Sequence, residues 1–150
     1  MSLAGITAVE HPLNELKNIS RSLLDAGIHG ICFSAYDEGQ QPGDQLTEAQ
    51  VRRKLSILKP HISWVRTFSC TEGNELIAQI AHELGIKTLV GAWLGDDLEK
   101  NEAEIAGLIT LCRQGAVDVA AVGNEVLYRE DLEVNALVNY IERVKAEVSG

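Results

Sequence analysis

The run "VDVAAVGNEV" carries an apolar stretch that reads as a buried strand and stops at Gly123-Asn124-Glu125, leaving a carboxylate where the strand opens to solvent. A carboxylate held at such a place can give and take a proton. Three earlier apolar runs end in the same manner. "HGICFSA" leads to Ser34, Tyr36, Asp37 and Glu38; "SWVRTFS" carries Arg66, Phe68 and Ser69; "IKTLVGAWL" carries Trp93 and leads to Asp96 and Asp97. Tyr128 follows the fourth run. Flat aromatic rings beside carboxylates, an arginine and amides suit a ligand with apolar faces and hydroxyl edges, the description of a sugar ring.

The elements that must position these residues follow from periodicity. Leu13, Leu16, Ile19, Leu23 and Leu24 recur at helical spacing between Pro12 and Gly27, so residues 1–27 form an N-terminal helical extension. Each apolar run is then followed by a helix. Val51, Leu55 and Leu58 mark the first, behind the capping box Thr47/Gln50; Leu76, Ile77, Ile80, Ala81 and Leu84 mark the second, closed by Gly85. Ile105, Leu108, Ile109 and Cys112 mark the third, with Asn101 and Glu104 as its caps and Gly115 beyond its end. The last carries Val134, Leu137, Val138, Ile141, Val144 and Val148. A helix followed by strand-helix units means parallel strands with crossovers, in one α/β domain over residues 1–150. The apolar continuity of the first, third and fourth strands predicts that both sheet faces are covered. An open doubly wound sheet and four units of a (β/α)8 barrel both fit, and in either the working residues collect at the carboxyl ends of the strands.

Composition narrows the partners. The 150-residue chain carries a net charge of -9 without a Lys/Arg cluster, which opposes binding to nucleic acid or anionic membranes. No apolar run is long enough to span a bilayer, and "MSLAGITAVEH" has no leader-like pattern. No phosphate-cradling glycine motif is present, so no nucleotide cofactor is expected. Cys32, Cys70 and Cys112 read as buried thiols, and His11, His29, His61 and His82 lack metal-ligand spacing; no metal is expected. Asp37, Glu38, Asp96 and Asp97 read as loop or capping acids, Phe33 and Trp64 as core.

"AVGNEV" resembles the strand-four signature of the glycoside hydrolase family 17 β-1,3-glucanases. With "GICFSAYDEGQ", "VRTFS" and "LVGAWL" in the same order, the chain is most similar to the bacterial branch. The resemblance implies a (β/α)8 TIM-barrel-type fold of which this chain supplies the first four βα units, a half barrel. It also implies roles. Glu125 is the general acid/base, half enclosed at the barrel mouth and raised in pKa; Asn124 holds a sugar 2-hydroxyl; Arg66 orients carboxylates from below. Tyr36, Phe68 and Trp93 form the sugar platform and Tyr128 helps line the cleft, with Phe68 standing where many relatives have Tyr. The substrate implied is a β-glucan or oligosaccharide, handled without a cofactor and outside the cytoplasm, by hydrolysis or transglycosylation. In this family the retaining nucleophile lies on strand seven, about 5–5.5 Å from the acid, so this chain alone is expected to be weak or inactive. Four strands leave two unpaired edges, so self-association or a C-terminal half is expected to complete the barrel. In a two-fold dimer, Asp96 or Asp97 would approach the partner's acid. The competing reading is a glucan-binding or assembly module without catalysis.

Overall fold

The structure, a computed structural model, describes residues 11–148. Residues 1–10 of the expected N-terminal extension lie outside the described residues. The elements alternate as the periodicity requires: α1 (Leu13–Ala26), β1 (Ile28–Cys32), α2 (Glu48–Leu58), β2 (Ile62–Arg66), α3 (Glu75–Glu83), β3 (Lys87–Ala92), α4 (Leu98–Arg113), β4 (Val119–Val122) and α5 (Val134–Val148). The strands form one parallel sheet in the order β1-β2-β3-β4, without the reversal that marks the switch point of a doubly wound sheet. Helix α2 packs on α3, α3 on α4 and α4 on α5, giving one continuous helical layer.

Two apolar clusters lie between sheet and helices. Val51, Leu55, Val65, Ile77 and Ile80 build the first; Val90, Leu94, Ile105, Leu108 and Val144 build the second. Strand alternation sends Val65 and Val90 into this core and their neighbours to the other face. There the register aligns Gly30, Trp64 and Lys87 in one row, and Cys32, Arg66, Leu89 and Val119 in the next. That face is open among the described residues, which corrects the expectation of a sheet covered on both sides. Apolar residues such as Leu89 and Val119 read as buried from sequence because the pattern does not distinguish a covered face from an unpartnered one. Trp64 is likewise not core: it lies half-buried on the open face, stacked on His29 at 5.9 Å, with the Lys87 ammonium 5.4 Å from its ring. Gly30 makes room for it, since a Cβ there would fall 2.6 Å from Trp64 Cβ.

Cys32 is exposed on this face, a third correction, whereas Cys70 is buried. Burial, with the Glu104 carboxylate nearby, pushes the Cys70 thiol far up and keeps it protonated. Helix α4 begins one turn earlier than the Asn101/Glu104 pair implied. Asp97 is the N-cap, its Oδ1 accepting from the Glu99 and Lys100 amides at 3.0 and 3.1 Å. Asn101 instead pairs with both backbone groups of Gly95, each at 2.8 Å. At α2 only half of the capping box forms: Thr47 Oγ1 accepts from the Gln50 amide, while the Gln50 side chain donates to Ala35 O at 2.7 Å.

Candidate active site

The carboxyl ends of β1, β2 and β3 converge on a cleft of about 260 Å³ whose walls include Phe33, Tyr36, Phe68, Asn74, Trp93 and Glu104. The three aromatics singled out from sequence are therefore neighbours in space. Asn74 Nδ2 donates to the Tyr36 hydroxyl at 3.2 Å and to Thr71 O at 3.0 Å, so the phenol is turned by a neighbouring loop rather than left to rotate. Phe68 carries the Arg66 guanidinium over its ring at 4.9 Å. Trp93 carries that of Arg129 at 4.5 Å.

What fixes this wall is Glu104, a residue the sequence offers only as a cap of α4 together with Asn101. Its carboxylate is fully buried. One oxygen accepts from Ser69 Oγ at 2.5 Å and Thr71 Oγ1 at 2.7 Å; the other accepts from the Cys70 amide at 2.7 Å and the Trp93 amide at 3.1 Å. One side chain thus ties the loop after β2 to the end of β3. A buried carboxylate is tolerated because four donors surround it. Gly107, one turn further along α4, permits the approach: a Cβ there would stand 2.6 Å from Cys70 O.

The end of β4 is joined to the same rim by two arginines. Arg66 Nη2 donates to Asn124 Oδ1 at 2.8 Å, so the half-buried guanidinium on β2 is paired with a group on the strand-four loop. Arg129, which carries no sequence signal of its own, donates to Asp131 Oδ2 at 2.7 Å, to Leu94 O at 2.8 Å and to Asn124 O. Glu125 follows Asn124 with φ 53°, in the left-handed region that costs a residue with a Cβ on the order of 1 kcal/mol or more.

Glu125 itself is exposed, not half enclosed, and lines a shallow depression with Val126, Leu127, Tyr128 and Leu137. It does not line the aromatic cleft; its connection to that cleft runs through Asn124. Tyr128 is 87% exposed and lies in the Glu125 depression, away from the three aromatics. Of the loop acids, Asp37 binds Arg53 at 2.8 Å and Lys54 at 3.1 Å, and these cations hold its carboxyl below the usual range. Asp97 is committed to its cap, whereas Asp96 and Glu38 are exposed.

Residues 30–150 match the BtgE/BtgC glycoside hydrolase domain. A glucan 1,3-beta-glucosidase of Candida albicans is 28% identical over 100 residues, covering 64% of this chain and 32% of the relative. The crystal structure of a glycoside hydrolase family 17 beta-1,3-glucanosyltransferase from Rhizomucor miehei superposes with a TM-score of 0.67 at 28% identity, over 83% of this chain and 47% of that one. An active-site mutant of the Rhizomucor miehei enzyme in complex with laminaritriose gives the same agreement. The chain spans about a third of the curated relative and under half of the solved one. The matched segment contains all four strand ends and the cleft between them, and the chain belongs to the BtgE/BtgC glycoside hydrolase domain family.

Proposed function

We propose that this chain carries the acid/base half of a retaining, β-1,3-glucan-active site of the glycoside hydrolase family 17 type, with motifs nearest the family's bacterial branch. The observation that carries the reading is the Arg66–Asn124 hydrogen bond, which sets the end of β4 beside an aromatic wall built from β1, β2 and β3. Because Arg66 occupies Asn124 Oδ1, the Nδ2 donors are left to face a ligand hydroxyl. A contact of that kind to a sugar 2-hydroxyl strengthens as the ring flattens toward an oxocarbenium ion.

In the proposed reaction a carboxylate from outside these residues attacks the anomeric carbon while Glu125 protonates the departing glycosidic oxygen. The covalent glycosyl-enzyme is then opened by water, or by a sugar hydroxyl in transfer, whose proton returns to Glu125. Glu104 is not that nucleophile, since all four of its hydrogen-bonded donors converge on its two oxygens. The Glu125→Gln variant is the test. Laminarin cleavage should depend on this carboxylate, and turnover that survives the change would remove it from the mechanism. A second reading, a glucan-binding module, is favoured by one feature: the Tyr36–Phe68–Trp93 cleft is formed while Glu125 stands outside it. Laminaritriose binding without any turnover would select the module.

We further propose that the four βα units are half of a (β/α)8 barrel, the open sheet face being its interior. The unreversed strand order and the single helical layer support this. The 150-residue chain is expected to sediment as a dimer, with Cys32 protected from thiol reagents as association proceeds. A monodisperse monomer with Cys32 freely labelled would remove self-association.

A further inference from the structure

Resting on the reading of Glu125 as acid/base, we infer that Arg129 is the positioning residue that couples this acid to the Trp93 platform. The loop from Gly123 to Asp131 belongs to no strand or long helix, yet it must hold Glu125 at φ 53°. Backbone bonds do part of this: the Gly123 amide donates to Ala92 O at 3.1 Å, Arg129 N to Glu125 O at 2.9 Å and Asp131 N to Val126 O at 3.1 Å. The guanidinium does the rest. It donates to the carbonyl of Asn124, immediately before Glu125, and to the carbonyl of Leu94, immediately after Trp93, while Asp131 orients its Nε.

Those two carbonyls come from segments joined to different strands. A shift of the acid loop therefore reaches the end of β3 through one rigid planar group. The same guanidinium lies over the Trp93 ring. Trp93 lines the aromatic cleft while Arg129 does not, so the guanidinium touches the platform ring without itself being part of the cleft wall. Lysine could keep the charge opposite Asp131 but not the fork that reaches two carbonyls at once, nor the planar stack.

The test uses the full chain with Arg129→Lys and Arg129→Met, read by the Glu125 and Val126 amide signals, the Trp93 indole signal and laminaritriose affinity. Both variants are expected to move the acid-loop and Trp93 signals together and to weaken laminaritriose about tenfold, a fold-change within reach of one misplaced stacking contact. Arg129→Lys should keep its melting temperature close to that of the parent, which separates positioning from fold stability. If Arg129→Met does not fold, Asp131→Ala, which leaves the guanidinium without its orienting carboxylate, should move the same signals. Full affinity and unmoved signals in Arg129→Lys would overturn the coupling while leaving the sugar reading intact. Coupled shifts in a parent chain that binds no laminaritriose would keep the coupling and overturn the sugar reading.

Discussion

Replacement of Glu104 by alanine is expected to lower the stability of the chain by about 3–5 kcal/mol, a large part of what holds a domain of this size together. The magnitude comes from what is left behind. The Ser69 and Thr71 hydroxyls can turn to other acceptors, and they already lie 3.3 Å from one another. The Cys70 and Trp93 amides cannot turn, since their backbones are fixed, and each orphaned buried donor costs roughly 1–3 kcal/mol. The cavity left by the missing side chain adds to this. Glu104→Gln should cost less, because one oxygen still accepts, but its amide group would face donors and fail to replace the second oxygen. Denaturant unfolding reads both as shifts in midpoint. A loss below about 1 kcal/mol for the alanine variant would mean that the loop after β2 and the end of β3 are held by something else.

Glu125→Gln is expected to reduce laminarin turnover by about 10²–10⁴-fold wherever turnover is measurable, the usual contribution of a general acid/base. Glutamine keeps the length of the side chain and pays the same conformational cost at φ 53°, so stability should change by less than about 0.5 kcal/mol. Laminaritriose affinity should persist, since the aromatic wall is built from β1, β2 and β3 and not from the acid. A variant that folds, binds and cleaves like the parent would assign the proton transfer to another group. A variant that loses binding together with turnover would instead place Glu125 in ligand recognition.

The rim of the site was legible because a parallel α/β pattern sends every strand end to one edge. Tyr36, Phe68, Trp93, Arg66 and Asn124 could be assigned to one rim from the strand ends. The Arg66–Asn124 pairing could not, since the resemblance set Arg66 against carboxylates and Asn124 against a sugar hydroxyl. The missing parts depend on long-range contacts. Glu104 meets Ser69, Cys70 and Thr71 from more than thirty residues away, and its spacing three residues after Asn101 made it read as a helix cap rather than an anchor. Arg129 acts through backbone carbonyls, which have no residue type to read. The shift of the α4 start to Asp97 has a local cause: Asn101 finds both backbone groups of Gly95 and is drawn into the first turn. Trp64 and Cys32 misled because size and hydrophobicity indicate burial only on a covered face, and both lie on the sheet face left open among the described residues.

The most direct test is a laminaritriose titration followed by the side-chain NH signals of Trp93 and Asn124. Saturable shifts in both, absent or much weaker in Trp93→Ala for the Asn124 signal, are the predicted result. Shifts confined to residues away from the strand ends, or none at millimolar sugar, would contradict a glucan site at this rim.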